Sequence, residues 1–343
     1  MAGTWQSADG AFTRATADEV RCVLCPFRCR LRDGETGACK VRRRRGGSVQ
    51  TLTLATTVKH RDAVERKPFY HFRPGSTVLT LAPPGCSFRC DYCVNHRLSQ
   101  YGREPDAGRG LPWETVDVPA VVREAAEASA SLGLSYSEPS LAPELTLALA
   151  AEARPAGVPL LWKSNGFLTP EATDRLAPAL SAVNIDIKAA EEEPHRRLTG
   201  APLRPVLETL RRMHAQGVWV EATTPLIPGT SAEDAQLEGI AGFLASVDRD
   251  IPWHLMRFTP THRMDTHAPT GPDRLDRARA IGRAAGLRHV YVERALGAEG
   301  RTTYCPGCGA AAVDRDIWAL SALRLDGTGR CGECGTRIEG VWR

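Results

Sequence analysis

The chain has no run of eighteen apolar residues, which excludes a helix that spans a bilayer. Its opening residues, Met-Ala-Gly-Thr-Trp-Gln-Ser-Ala-Asp, lack the basic start and apolar centre of a secretion signal, so a cytoplasmic protein is expected. Charge of one sign is also scarce. The 44 basic residues exceed the 40 acidic ones by only four, too mild an excess to argue for a nucleic-acid partner. What the chain does have is cysteine, eleven in 343 residues.

These cysteines divide without remainder into Cys22, Cys25, Cys29 and Cys39, then Cys86, Cys90 and Cys93, then Cys305, Cys308, Cys331 and Cys334. A set of four, three and four reads as metal sites. Disulfides would leave one cysteine over, and a reducing compartment disfavours them. The middle group, Cys86-Ser-Phe-Arg-Cys90-Asp-Tyr-Cys93, follows the apolar run Thr77 to Ala82 and the turn Pro83-Pro84-Gly85. Three thiolates on a loop leaving a strand can hold three irons of a cubane cluster and leave the fourth iron open. The x3 gap and the odd count weigh against structural zinc, which takes four ligands.

The outer groups are complete sets of four. Cys22 to Cys39 read as zinc or an auxiliary iron-sulfur cluster, and spacing alone does not choose. At the other end, Cys305-Pro-Gly-Cys308-Gly and Cys331-Gly-Glu-Cys334-Gly form two knuckles of a zinc ribbon, favoured over an auxiliary cluster. A redox disulfide pair would not explain the duplicated knuckle. The run Arg42 to Arg45, before Gly46-Gly47, reads as a solvated hairpin tip rather than a nucleic-acid patch, since no aromatics interleave it. A non-catalytic zinc-ribbon protein binding nucleic acid through Arg42 to Arg45 remains a remote alternative, and it leaves the cysteine triplet unexplained.

From Thr77 onward, strand-like and helix-like segments alternate. Strands are expected at 77–82, 132–136, 158–163, 182–187, 218–224 and 253–258, with a possible seventh at 289–292. Amphipathic helices are expected at 118–130, 144–153, 170–180, 205–216, 232–246 and 272–285. Alternation implies parallel strands with crossover helices. No glycine-rich dinucleotide fingerprint follows the first strand. The expected fold is therefore α/β, a partial (β/α)6 TIM-like barrel with small four-cysteine metal-binding elements at both ends. Its divisions are a tail at 1–18, an N-terminal element at 19–66, the barrel at 67–300 and a C-terminal element at 301–343.

Functional groups of such a barrel collect where strands end. The junctions carry Tyr136 to Pro139, Lys163-Ser164-Asn165-Gly166, Asp186 and Lys188, Leu226 to Gly229, and His254 to Arg257. Glu138 and Pro139 also suit simple helix initiation, the Asn-Gly pair suits a turn, and a lone strand histidine is often core. Asp186 and Lys188, two apart on one strand, form an inward charged pair that favours function.

These residues carry a resemblance. The triplet with Tyr92 before its last cysteine, followed by Asn95, resembles the cluster motif of radical S-adenosylmethionine (SAM) enzymes. Several segments resemble the AmmeMemoRadiSam radical SAM proteins: Lys67-Pro-Phe-Tyr-His-Phe72, Tyr136-x-Glu138-Pro139, Ser164-Asn165-Gly166, Leu226 to Gly229, Pro252-Trp-His254-x-x-Arg257-Phe258 and Tyr304 to Gly309. That group is similar in turn to the pyruvate formate-lyase activating enzymes. The resemblance implies a [4Fe-4S] cluster on Cys86, Cys90 and Cys93, whose open iron chelates SAM. It implies cofactor contacts from Tyr92, Tyr136, Glu138, Ser164, Asn165, Asp186, Lys188, Ile227 and His254, with Lys188, His254 and Arg257 as candidate catalytic residues. Lys163 stands where the activating enzymes carry an aspartate that helps bind a monovalent cation.

The implied reaction is reductive cleavage of SAM to a 5'-deoxyadenosyl radical that abstracts a substrate hydrogen. The electron would come from a donor such as flavodoxin or ferredoxin. Lys163, Lys188 and Arg257 suit a small anionic metabolite of sugar, nucleoside or amino-acid type, transformed by decarboxylation, elimination or rearrangement. The alternative is activation or modification of a protein or peptide.

Overall fold

A computed structural model describes residues 4–16, 19–292 and 296–343. Residues 1–3, 17 and 18 of the expected tail, and 293–295 of the expected barrel, lie outside the described residues.

One sheet organises the molecule. Its strands are β1 (Lys59–Ala63), β2 (Thr77–Leu81), β3 (Ser131–Leu134), β4 (Leu160–Ser164), β5 (Ala182–Asp186), β6 (Trp219–Leu226), β7 (Trp253–Arg257) and β8 (Val290–Val292). They lie side by side in chain order. β2 to β8 are parallel and β1 runs antiparallel against β2. A sheet that never reverses its strand order has no switch point, so the partial barrel is borne out. The possible seventh parallel strand is present as β8, and the sheet extends the expectation by β1, which covers an otherwise bare edge of β2. The sheet itself begins with Lys59.

The crossover helices follow the apolar periodicity. They span Val118–Glu127, Pro143–Ala153, Pro170–Leu176, Arg204–Ala215, Asp234–Val247 and Pro272–Ala284. Asp117 and Thr169 cap two of them through Ala120 N and Ala172 N, satisfying donors that a helix start leaves unpaired. An additional helix, Glu192–Thr199, stops at Gly200 in the left-handed region. No helix among the described residues is long and apolar enough to cross a membrane.

Residues 4–16 are a correction to the expected loose tail. Gln6–Ser7 pairs with Ser48–Thr51, Thr13–Ala15 pairs with Val20–Cys22, and Phe12 is buried. The arginine run is a second correction. Arg42–Arg45 is a strand paired with Ser48–Thr51, and the hairpin tip is Gly46-Gly47, both at positive φ. Arg42 is 1% exposed and meets both oxygens of Glu144, at 3.0 and 2.8 Å. Arg43 lies over the Trp5 ring. Strand alternation turns successive side chains inward and outward, so four arginines in a row cannot all be solvated.

The two cysteine-rich elements sit at opposite ends of the barrel. The N-terminal one packs at the mouth, where Thr169, just past β4, donates through N and Oγ1 to Leu24 O and Val23 O. The C-terminal one, with strands Thr303–Tyr304, Ala311–Arg315 and Leu320–Leu323, lies beneath the floor. There His71 and Arg73 exchange backbone bonds with Val341, and the His71 ring lies 5.0 Å from that of Trp342.

Candidate active site at the barrel mouth

Glycine begins the site. Gly85 has φ +92°, and a Cβ there would stand 2.8 Å from Val41 Cγ1, so only glycine lets the loop leave β2 so close to the N-terminal element. Past this turn come Cys86, Cys90 and Cys93. Phe88 N donates to Cys86 Sγ at 3.3 Å, Asn165 Nδ2 donates to the same sulfur at 3.5 Å, and Cys93 Sγ lies 3.3 Å from Ser99 Oγ. Burial pushes all three thiols up, Cys90 to about 12, with Lys188 opposing the rise.

Among the described residues, two groups of metal-ligating side chains bring all their ligand atoms within 4.8 Å of one another: the four C-terminal cysteines, and His96, Glu104 and His262. The triplet is wider-set. Soft thiolates too far apart for one ion, on a loop with N–H···S donors, suit a cubane in which each sulfur binds its own iron. The C-terminal cysteines are different. Cys305 and Cys334 have sulfurs 3.6 Å apart, and Cys308 and Cys331 3.8 Å apart, against about 3.8 Å for a tetrahedron with bonds of about 2.3 Å. That set can bind one metal ion.

Around the triplet the strand ends are stitched together by Glu138. Its carboxylate, buried, accepts from Ser164 Oγ at 2.6 Å, Asn165 N at 2.8 Å and Ser140 N at 2.9 Å, while its own N–H donates to Gly85 O. Beside it, Asp186 lies between two ammoniums. Lys188 Nζ donates to it at 2.9 Å, and Lys163 donates both to it and to Asn184 Oδ1. Burial alone would raise the Asp186 carboxyl; the two lysines overcome it and hold the group at about 2. Lys188 also sits over the Tyr92 ring, joining this row to the cysteine loop.

The comparisons with known proteins agree with this geometry. The family model described as the Radical SAM superfamily matches residues 81–237. The uncharacterized protein MJ0808 of Methanocaldococcus jannaschii is 32% identical over 326 residues, 94% of this chain and 96% of that one. The chain belongs to the radical SAM superfamily. The isethionate sulfite-lyase activating enzyme of Nitratidesulfovibrio vulgaris is 30% identical over 156 residues, 44% of this chain and 51% of that protein. The benzylsuccinate synthase activating enzyme of Thauera aromatica is 25% identical over 144 residues, 40% of this chain and 44% of that one. This chain thus spans about half the length of those two relatives.

For a radical SAM enzyme the expected site residues divide into two sets. Cys86, Cys90, Cys93, Tyr92, Asn165, Asp186 and Lys188 gather at the mouth. Arg257 stands exposed at the end of β7, donating to Thr270 O. Ile227 is buried against Leu198 and Phe258, with Tyr92 packed on that cluster.

Four other expected residues are engaged within the chain, and one of them, His254, lies away from the expected place. His254 is not at the mouth: it is the second residue of β7, fully buried, with Nε2 2.6 Å from Glu221. That carboxylate also accepts from Tyr70 N, His71 N and Trp219 Nε1, so it closes the barrel floor. Glu138 and Ser164 are bonded to each other and to the backbone, with Asn165 N on the same carboxylate. Tyr136, at φ +69°, turns toward β1, where its hydroxyl donates to Asp62 at 3.0 Å and accepts from Lys67 at 3.1 Å. The Asp62–Lys67 pair, its lysine buried, takes that hydroxyl as a further partner.

Sequence reasoning missed Glu221, whose position between apolar neighbours in β6 was the available signal. It also missed the clasp of His96 and His262, stacked at 4.2 Å with Glu104 beside them. No spacing rule links residues so far apart in sequence.

Proposed function

We propose that this enzyme uses a [4Fe-4S] cluster on Cys86, Cys90 and Cys93 to cleave SAM reductively and take a hydrogen atom from a small anionic substrate at the barrel mouth. The observation that carries the substrate class is the Lys163–Asp186–Lys188 row: one carboxylate between two ammoniums beside the cysteine loop, with Arg257 exposed at the next rim position but one. The row keeps one positive charge in excess, and a partly desolvated site strengthens its hold on an anion.

When bound, the cluster and SAM supply the one-electron chemistry that attacks an unreactive C–H bond. The chain's residues do the rest. Asn165, held by Glu138, steadies Cys86 through its amide. Asp186 and Lys188 offer a carboxylate and an ammonium to the charged end of SAM, so that the row's excess positive charge, with Arg257, is what faces the substrate anion, while Tyr92 and Ile227 border the adenine. Leu198, Ile227 and Phe258 form an apolar wall that keeps water from the reacting carbon. Beneath the floor, the C-terminal cysteines hold zinc as a structural ion, with no open position.

A one-electron donor of the flavodoxin or ferredoxin kind completes the reaction. It has a candidate entrance in a cavity of about 520 Å³ lined in part by Lys40, Arg89, Arg103, Arg263 and Glu104, whose positive balance suits an acidic protein. Eleven free cysteines accord with a reducing cytoplasm.

The names of the two activating enzymes favour a second reading, in which the substrate is a glycyl residue of a partner protein. One experiment separates the two. Reduced protein and SAM are incubated with deuterated sugar phosphates, nucleotides and amino acids, and deuterium in 5'-deoxyadenosine is measured. Transfer from one of these anions supports the first reading. No transfer from any of them, with a glycyl-radical EPR doublet on a co-purifying protein, supports the second.

A further inference from the structure

The N-terminal cysteines resemble the catalytic triplet more than they resemble their C-terminal counterparts. Cys22, Cys29 and Cys39 all lie close enough to Cys25 for their charge to act on its sulfur. Cys22 N donates to Cys29 O at 2.9 Å, and Ala38 N donates to Cys29 Sγ at 3.3 Å. The four therefore lie close together. Yet no three of them bring their sulfurs within 4.8 Å of one another, as the C-terminal four do. One ion cannot reach such a set; a cubane, with one thiolate on each of four irons, can.

Position points the same way. Cys22, Cys25 and Cys39 belong to the same buried core as Cys90, whereas Cys308 and Cys334 are exposed. A single half-buried guanidinium joins the two mouth-side loops. Arg103 donates through Nε and Nη2 to Ala38 O, at 3.1 and 2.7 Å, and through Nη1 to Phe88 O at 2.8 Å. Ala38 precedes Cys39, and Phe88 lies between Cys86 and Cys90. A Cβ on Gly85, the neighbour of Cys86, would lie 3.3 Å from Cys39 O. Phe27, two residues past Cys25, meets Phe167 at 5.1 Å, and Phe167 meets Phe88 at 5.4 Å. Two cysteine loops in van der Waals contact, with packed rings between them, form a short path for an electron. Arg103 also lines the basic cavity that opens to solvent.

We infer that Cys22, Cys25, Cys29 and Cys39 hold a second [4Fe-4S] cluster, fully ligated by protein, that passes one electron to the cluster on Cys86, Cys90 and Cys93. A low-potential one-electron donor takes the outer cluster from its 2+ to its 1+ state. The outer cluster returns to 2+ as the inner one goes to 1+, and no bond to the protein forms or breaks. The relay role rests on the function proposed above; the metal content of the N-terminal site does not.

The test begins with metal analysis of the full chain, reconstituted anaerobically with iron and sulfide. About eight irons per chain are expected, two cubanes, together with one zinc. About four irons with two zincs would overturn the inference and leave the radical SAM reading intact. A variant carrying Cys86→Ala, Cys90→Ala and Cys93→Ala isolates the outer site. About four irons should remain, with a reduced EPR signal that SAM does not change and that Cys25→Ala with Cys29→Ala removes. An iron-free triple variant with native circular dichroism would overturn the inference. For the relay, fully reduced wild type should give an EPR spectrum broadened by spin coupling relative to the sum of the two single-site variants. A spectrum equal to that sum would overturn the relay.

Discussion

The two four-cysteine elements are fastened to the barrel by similar means at opposite ends. At the mouth, Arg42 is buried against Glu144 and Gly85 admits Val41. Under the floor, Arg315, 2% exposed, reaches Tyr70 O and Thr303 Oγ1, and Gly75 admits Leu320, whose Cδ2 would lie 2.9 Å from an added Cβ. Each element thus uses one buried guanidinium and one glycine of positive φ. The sulfurs differ. Those below the floor are drawn together around the space of one ion, next to a small core of their own built on Ala312, Val313, Ile338 and Trp342. Those at the mouth stand apart, within the main core and against the catalytic loop. Equal cysteine counts therefore do not imply equal geometry: the two sets differ in spacing and in place, and the two metal assignments proposed above rest on that difference.

The strongest way to break that contrast is to remove one ligand from each set. Cys25→Ala should cost the N-terminal cluster and lower SAM cleavage driven by a protein donor by about tenfold or more, a loss of roughly 1.4 kcal/mol in barrier terms. Cys308→Ala should lose zinc and lower thermal stability, with cleavage changed less than about twofold. Metal analysis and 5'-deoxyadenosine assays check both. Equal losses of cleavage would merge the two roles.

The anchoring arginines come next. Arg42→Ala leaves Glu144 half-buried without its cation, a loss of about 3 to 5 kcal/mol in urea unfolding. Arg315→Ala removes a buried guanidinium that donates to Tyr70 O and Thr303 Oγ1 and should cost about 2 to 4 kcal/mol. The first should also lower iron content, and the second should not.

The glycines give a smaller and cleaner separation. Gly85→Ala and Gly75→Ala should each cost about 1 to 3 kcal/mol through strain and overpacking. Only Gly85→Ala should change the EPR line shape of the catalytic cluster.

The smallest effect is acid sensitivity at the mouth. The folded carboxyl of Asp186 titrates near 2, below its ordinary 3.8, because Lys163 and Lys188 outweigh its burial. A carboxyl depressed in the folded state stabilises fully above its unfolded pKa, and that contribution fades as pH falls from about 4 toward about 2. Asp186→Asn should flatten this part of the stability curve, as measured by urea midpoints between pH 6 and 2.5. An unchanged curve would remove the lysine row from the account.

Most of the barrel was legible because its strands and helices follow strong apolar periods. The edge strand β1 was not: Lys59-His-Arg-Asp-Ala63 carries no apolar alternation, and tertiary pairing with β2 makes it a strand. The triplet was legible from spacing, and Asp186 with Lys188 from two-residue alternation. His254 misled because a junction motif marks the strand, not the height along it. At the second position of β7 it belongs to the floor, with Glu221. Arg42 misled because four like charges suggest solvent, and the half-buried Glu144 that holds it lies about a hundred residues away. Glu138 and Ser164 were rightly placed at the mouth, but only the folded chain shows that they hold each other.

The central claim is most directly tested by 5'-deoxyadenosine formation from SAM by the reduced, iron-reconstituted protein, beside a variant with Cys86, Cys90 and Cys93 changed to alanine. The expected result is steady product from wild type and none above background from the variant. Equal product from both, or none from an iron-loaded wild type, would contradict it.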